Sequence, residues 1–267
     1  MNETLNRYPI DEKRVKTLHI FNVNEFKNKP QMTRIGSLVD VKNLTDTFES
    51  LNFKVKVYSD LTSTAMKEQF EKLGNEDHSN RDLFFCVIMS HGNRINGVDV
   101  LTCGDNVDVS LNELLKPIKE CMDLINKPKI VFVQACRGES EFEVEDVETM
   151  TDTTVDERMH NIFFKKPLKD KLKINKVSPL SLDYNMDYVI FYSTTRDFLS
   201  KRHPTNGTPF VQVICEVFKK HVKKLSLEGM IKFVIKELKG KGGQVPEIMG
   251  SMSRSLYFTK VSLNYNT

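Results

Sequence analysis

The chain has 267 residues, 39% of them hydrophobic and 28% charged, which is enough apolar material for one large α/β unit with a buried core. Its 39 basic and 36 acidic side chains leave a net charge of +3, so neither a nucleic acid nor a membrane is predicted as partner. The five cysteines are widely spaced and include no Cys-x-x-Cys pair, so we expect no disulfide framework, no metal site and no cofactor.

The first half of the chain alternates strand-like and helix-like segments. Residues 1–15 are polar and lack the apolar run of a signal peptide, so a reducing, cytoplasmic setting is expected. Strands are predicted over residues 16–23, 53–58, 83–89 and 130–133, and helices over 38–51 and 63–73. Such a series predicts a mostly parallel sheet with flanking helices.

Short local signals punctuate this series. Thr62 or Ser63 is expected to cap the second helix. Asn96-Gly97 predicts a tight hairpin, because both residue types tolerate a positive φ. Ser110 and Glu113 have the spacing of a capping box, which predicts the start of a short third helix.

The second half of the chain begins with a strongly charged segment. Six of the ten residues 139–148 are acidic, and residues 139–183 show little apolar periodicity, which predicts an exposed linker. Regular structure is expected to resume with a strand over 188–193 and helices over 210–218 and 230–238. Residues 256–258 are expected to form a final strand.

Two of the predicted buried strands end on residues suited to nucleophilic catalysis. One leads into His91 and Gly92, and the other into the sequence Gln-Ala-Cys-Arg-Gly at residues 134–138. Because parallel strands end at the same edge of a sheet, His91 and Cys136 are expected to meet there. A thiol beside an imidazole predicts nucleophilic catalysis, with backbone N–H groups near the glycines available to an oxyanion.

The pentapeptide at 134–138, with a histidine about 50 residues upstream, resembles the signature of the caspases. The similarity runs from the first strand to residues 256–258. It implies a caspase-like α/β fold, a mostly parallel six-stranded sheet flanked by helices on both faces. It also implies that Cys136 is the nucleophile and His91 the acid–base. The N–H groups of Gly92 and Cys136 would form the oxyanion hole, and the backbone carbonyl of Met32 would orient His91.

The same resemblance implies cleavage after aspartate. Residues 32–37 are similar to the family's first arginine segment, which points to Arg34. Residues 200–203 are similar to its second arginine segment, which points to Arg202 and Ser200. With Gln134, these residues would bind the substrate carboxylate, since two guanidinium groups offer it a planar, multidentate fit.

The chain departs from the family pattern around the outer substrate pockets. It contains no tryptophan, and Lys201 and Pro209 stand where aromatic residues are common. His203 stands where asparagine is frequent. Two functions therefore remain open. One is an active endopeptidase of the apoptotic type; the other is a weak or inactive paralogue that regulates an active caspase by forming a heterodimer with it.

The resemblance also predicts processing and partners. Residues 16–138 would form the large-subunit region and 184–267 the small-subunit region of one fold, with the linker at 139–183 cut after Asp146, Asp152 or Asp156, of which Asp152 is favoured. The short segment 1–15 is expected either because the chain is similar to effector members or because the sequence is a shortened one. Expected partners are protein substrates, a second caspase chain in a homodimer or heterodimer, and inhibitor-of-apoptosis proteins.

Overall fold

The computed structural model describes residues 6–138, 187–200, 202–240 and 244–259. The predicted linker, with Asp146, Asp152 and Asp156, lies outside the described residues, and so does Lys201.

A six-stranded sheet forms the centre of the molecule, in the order β2-β1-β3-β7-β8-β9. Its strands are β1 (Lys16–Asn22), β2 (Phe53–Ser59), β3 (Phe84–Met89), β7 (Lys129–Gln134), β8 (Tyr188–Tyr192) and β9 (Glu247–Gly250). Every neighbouring pair is parallel except β8 and β9, which are antiparallel. The predicted mostly parallel six-stranded sheet is therefore confirmed.

A small antiparallel sheet lies beside the main one and consists of β4 (Gly92–Ile95), β5 (Val98–Thr102) and β6 (Asp108–Ser110). The first two strands are joined by Asn96 and Gly97, whose φ values are 51° and 80°. Two consecutive positive φ angles are those of a type I′ turn, so the predicted hairpin is confirmed.

Helices cover both faces of the main sheet, as predicted. They are α1 (Ser37–Ser50), α2 (Ser63–Gly74), α3 (Leu111–Lys119), α4 (Pro209–His221) and α5 (Leu227–Gly240). Apolar residues of α1, α4 and α5 pack on one face, and those of α2 and α3 on the other. Strand β3 serves both layers, because Phe85 and Val87 belong to the first core and Phe84 and Cys86 to the second.

A row of aromatic rings fills the first of these cores. Phe85 lies in edge contact with Phe48 of α1 and with Phe132 of β7, at centroid distances of 5.4 and 5.0 Å. Phe132 in turn contacts Phe191 of β8 at 5.4 Å. Each fully buried ring contributes about 2–3 kcal/mol by leaving water, so this row joins α1 and three strands into one unit.

The helix caps follow the sequence in part. The Thr62 side chain accepts a hydrogen bond from the N–H of Ala65 at 3.2 Å, so the predicted cap of α2 is present. Ser110 does precede α3, but its hydroxyl makes no capping hydrogen bond and is buried without a partner among the described residues. The predicted start of a third helix is confirmed, since α3 begins at Leu111, but the side-chain cap expected of Ser110 is absent. Ser110 is also the last residue of β6.

The strand expected at residues 256–258 is also wrong. Leu256 and Phe258 are 0% and 2% exposed and pack into the core below the sheet, where the ring of Phe258 lies 5.8 Å from that of Phe53. The last strand of the sheet is β9, earlier in the chain. A short apolar run such as Leu-Tyr-Phe gives the same sequence pattern in a strand and in a segment that packs into the core without pairing.

No helix in the described ranges is both long enough and apolar enough to cross a bilayer.

The buried His19 of β1 predicts an acid-sensitive contribution to stability. Its ring is stacked with Phe84 and Tyr58, and burial, with the charges of Lys56 and Arg81, lowers its pKa from 6.5 to about 3. Because the unfolded chain binds this proton below pH 6.5 and the folded chain does not, stability is lost as pH falls from 6.5 towards 3.

A His19→Phe variant keeps the stacking and removes the titration. We expect its free energy of unfolding to fall less steeply between pH 6 and 4, by about 1.4 kcal/mol per pH unit, as measured by urea unfolding. A variant of the half-buried His221 serves as the control. Parallel pH curves for His19→Phe and the original protein would contradict this account of His19.

Candidate active site

The carboxyl ends of β3 and β7 bring His91 and Cys136 to neighbouring positions. Met89 and Gln134 are paired in register, and the N–H of Ser90 donates to the carbonyl of Gln134 at 3.2 Å. His91 lies two positions after Met89, and Cys136 lies two positions after Gln134. The two residues predicted to share chemistry therefore leave adjacent strands at the same edge.

Gly92 makes the close approach of these two tips possible. A Cβ atom on Gly92 would lie 2.8 Å from the carbonyl oxygen of Cys136 and 2.9 Å from the Cβ of Ala135. Such distances are too short for any residue with a side chain, so glycine is required by packing. The backbone beside the histidine thus lies directly against the backbone that carries the thiol.

One ring nitrogen of His91 is fixed by the main chain. Its Nε2 lies 2.8 Å from the carbonyl oxygen of Met32, the residue that the resemblance indicated, and its ring packs 5.0 Å from Phe26. A carbonyl oxygen only accepts hydrogen bonds, so Nε2 carries the proton in the neutral ring. Nδ1 is then the basic nitrogen.

The thiol of Cys136 is held by the backbone of Ser200. The N–H of Ser200 donates to Sγ at 3.3 Å, and the carbonyl oxygen of Ser200 lies 4.0 Å from the same sulfur. Cys136 itself is 7% exposed. An amide N–H directed at sulfur is a favourable partner for a thiolate.

The buried cysteines elsewhere in the described chain have a different environment. Burial raises the pKa of Cys103 to about 12 and that of Cys215 to about 11, and it also raises the pKa of Cys86. These thiols therefore stay protonated near neutral pH, as expected of residues that serve in packing.

The four predicted carboxylate-binding residues are all buried, and the structure links two of them directly. The side-chain amide of Gln134 donates to the hydroxyl of Ser200 at 2.6 Å, and that hydroxyl donates to Ser193 at 2.8 Å. Ser200 also contacts Cys136. Gln134, Ser200 and the thiol thus form one connected group.

Arg34 is fixed by the end of β1. Its Nη1 donates to the side chain of Asn22 at 3.2 Å and to the carbonyl of Val23 at 3.0 Å. Asn22 donates in turn to Ser37, whose hydroxyl donates to Asn24 at 2.8 Å. This network of polar side chains holds the guanidinium of Arg34 at the sheet edge. The sequence did not predict it.

Arg202 is carried by a tight hairpin that presses against the segment of Arg34. His203 and Gly207 exchange two backbone hydrogen bonds, at 2.9 and 3.0 Å. Gly36, with φ of 92°, faces this hairpin, and a Cβ there would lie 2.6 Å from the carbonyl oxygen of His203. The two predicted arginine segments are therefore in direct contact.

Three further polar residues contact the segments that form the site, and no role was predicted for any of them. Gln244, just before β9, donates to the carbonyl of Ser193 at 2.6 Å and to the hydroxyl of Ser200 at 3.3 Å. Asp40 of α1 is buried beside the hairpin that carries Arg202. Arg137 stacks 3.7 Å from the ring centroid of Tyr192 and pairs with Asp99.

Pro209 has a structural role at the start of α4. It occupies the first turn of the helix, and the side chain of Thr208 caps the same helix by accepting from the N–H of Val211 at 3.3 Å. Proline is well suited to this position because its missing N–H would have no helical partner. Pro209, which departs from the family pattern, therefore serves helix initiation.

Comparison with known proteins places the chain among caspases. The family model described as Caspase domain matches residues 16–257. Caspase-3 of Bos taurus is 30% identical over 253 residues, covering 90% of this chain and 82% of its own length. Caspase-7 of Gallus gallus is 32% identical over 222 residues, covering 83% of this chain and 66% of its own length. Caspase-3 of Xenopus laevis is 28% identical, over 90% of this chain and 79% of its own.

Proposed function

Because the chain belongs to the caspase family of cysteine proteases, we propose that it is an active endopeptidase that cleaves proteins after aspartate. The observation that carries this proposal is the placement of His91 and Cys136 on adjoining strand tips, with the Nε2 of His91 held by the carbonyl of Met32. Nucleophilic catalysis requires a thiol, a base near it and a group that orients the base, and Cys136, His91 and the carbonyl of Met32 would serve in these three roles.

The proposed reaction has two steps. His91 accepts the thiol proton at Nδ1, and the sulfur of Cys136 attacks the scissile carbonyl. The oxyanion is bound by the N–H groups of Gly92 and Cys136. The tetrahedral intermediate collapses to a thioester as His91 gives its proton to the leaving amine. Water, deprotonated by His91, then attacks the thioester, releasing the carboxylic acid and restoring the thiol.

Recognition of aspartate is assigned to Arg34, Gln134, Ser200 and Arg202. Their burial supports this assignment, because a carboxylate that enters the pocket would meet guanidinium groups with little competing water. A substrate without that charge would leave the cationic groups uncompensated, which is costly in a buried site.

We further propose a dimer of processed chains that acts in apoptosis in the cytoplasm. The large-subunit region 16–138 and small-subunit region 184–267 would arise by cleavage in the linker 139–183, at Asp146, Asp152 or Asp156. Strand β9 supports the dimer, since it lies at the sheet edge in the described chain and Ile248 is 46% exposed there. Inhibitor-of-apoptosis proteins are proposed as partners on the family resemblance alone.

The second candidate function is regulation of an active caspase by a weak or inactive chain. Lys201 and Pro209 favour it, since neither offers an aromatic wall to the outer substrate pockets. Such a chain would use the same sheet edge to pair with its relative, and the complete set Cys136, His91 and Arg34 would be vestigial.

Mass spectrometry of the purified full chain tests the two candidates together. An active enzyme should cut its own linker after Asp152, Asp146 or Asp156 and should hydrolyse peptides with aspartate at the cleaved position. Intact protein without peptide turnover, combined with faster turnover by a related caspase when the two are mixed, would instead establish the regulator. A Cys136→Ala chain is the control for contaminating proteases.

A further inference from the structure

Asp40 lies where the two arginine segments meet. It is in the first turn of α1, the helix that begins three residues after Arg34. Its Oδ1 accepts a hydrogen bond at 2.8 Å from the backbone N–H of Thr208, the capping residue of α4, which follows the hairpin of Arg202. The Asp40 carboxyl thus connects α1, which follows Arg34 in the sequence, to the start of α4, which follows Arg202.

The Asp40 carboxyl is tightly packed on the side of Gly207. Asp40 is 0% exposed. Gly207 has φ of 78°, and a Cβ atom on it would collide with Oδ1 of Asp40. The second oxygen, Oδ2, is buried and has no hydrogen-bond partner among the described residues. The structure therefore keeps a carboxyl inside the protein with only part of its hydrogen-bonding capacity used, which is costly for the ionised form.

Three ionisable groups interact electrostatically with Asp40, namely Arg34, Arg202 and Cys215. Burial raises the pKa of the Asp40 carboxyl from 3.8 to about 7, although the hydrogen bonds of Thr208 and the charges of Arg34 and Arg202 act to lower it. The third group, Cys215 of α4, is itself neutral because burial raises its pKa to about 11. The charge of Asp40 is thus expected to depend on pH near neutrality.

On the basis of the proposed function, we propose that Asp40 is a positioning residue whose charge sets the affinity of Arg34 and Arg202 for a substrate carboxylate. The ionised form compensates the two guanidinium groups while the pocket is empty and repels an entering carboxylate. The protonated form leaves the full positive charge to the substrate. By linkage, binding of an aspartate peptide then draws up to one proton from solvent onto Asp40, and the uptake grows with the fraction of chains in which Asp40 is ionised beforehand.

The test compares Asp40→Asn with the original residue, both in a Cys136→Ala background so that the peptide is bound and not cut. Asparagine keeps the size of the side chain and the oxygen that accepts from Thr208, but it has no charge at any pH. Calorimetric titration with a peptide containing one aspartate should give a Kd on the order of tenfold weaker at pH 8.5 than at pH 6 with Asp40 present. Asp40→Asn should bind equally at both pH values.

Proton uptake provides the second readout. Titrations at pH 8 in two buffers of different ionisation enthalpy should show protons taken up on binding when Asp40 is present, and none with Asp40→Asn. Asp46→Asn, on the exposed face of the same helix, is the matched control and should behave like the original chain. Equal pH dependence of Kd in the Asp40→Asn and control proteins would overturn the proposal.

Thermal unfolding separates this proposal from the proposed function. Because the folded pKa of Asp40 exceeds the unfolded value, its contribution to stability is full below about pH 4 and is lost as pH rises towards 7. The Tm of Asp40→Asn relative to the original chain should therefore increase over that range. A constant difference would refute the titration of Asp40 whatever the activity. Normal titration of Asp40 in a protein that never cleaves aspartate peptides would refute the protease function alone.

Discussion

Replacing Cys136 by alanine is expected to lower kcat for an aspartate peptide by about 10⁴-fold or more, while the fold is retained. The reason is chemical: alanine has no atom that can form the thioester, and the oxyanion donors and binding residues that remain give only residual rate enhancement. The change removes one buried sulfur that packs on the backbone of Ser200, so stability should change little. Initial rates with a fluorogenic peptide and a thermal unfolding curve measure both quantities.

Cys121→Ala is the matched control for this substitution. Cys121 is a free, half-buried cysteine between α3 and β7, in the connection that leads into the amino end of β7. Its replacement should leave kcat unchanged within about twofold. A Cys136→Ala protein that retains the rate of the Cys121→Ala protein would remove the proposed nucleophile.

The second large effect concerns the substrate. Exchanging aspartate for asparagine at the cleaved position of one peptide should lower kcat/KM by about 10³- to 10⁴-fold. Asparagine has nearly the same shape, so the loss measures the charge alone. Arg34 and Arg202, which are 0% and 5% exposed, would keep their positive charge in a site from which water is largely excluded.

Progress curves at substrate concentrations far below KM give the two values directly. A glutamate peptide is the second comparison, since it keeps the charge but moves it by one methylene; its rate should lie between the other two. Equal kcat/KM for the aspartate and asparagine peptides would show that the arginine pair does not face the substrate carboxylate.

Much of the fold could be predicted because its strands and helices have strong local patterns. Strand β3 is a continuous apolar run, since the sheet is covered on both faces, and α1 repeats apolar residues at helical spacing. The positions of His91 and Cys136 followed from the same reasoning, because parallel strands bring their carboxyl ends to one edge.

The residues that support the site could not be predicted from local patterns. Asp40 and Thr208 are 168 positions apart in the sequence, and Gln244 and Ser200 are 44 apart. A lone aspartate in the first turn of a helix usually serves the helix dipole at the surface, and nothing in the sequence indicates that this one is buried. Polar side chains at the end of β1, Asn22 and Asn24, were a usable signal for the network that holds Arg34.

The side-chain cap expected of Ser110 and the strand expected at 256–258 are both absent, for a common reason. Ser110 has the correct spacing for a capping box, and residues 256–258 are a short apolar run of the kind found in strands. In both places the tertiary structure imposes another role: Ser110 ends β6, and Leu256 and Phe258 fill the core. Short patterns of three or four residues do not distinguish between such environments.

The most direct test of the central claim is covalent labelling of the purified protein by an aspartyl peptide with a thiol-reactive fluoromethyl ketone, followed by peptide mapping with mass spectrometry. We expect one adduct per chain, on Cys136, which is lost in Cys136→Ala and strongly reduced in His91→Ala. Labelling of another cysteine, or equal labelling by the asparagine form of the reagent, would contradict a Cys136–His91 pair that serves an aspartate-directed pocket.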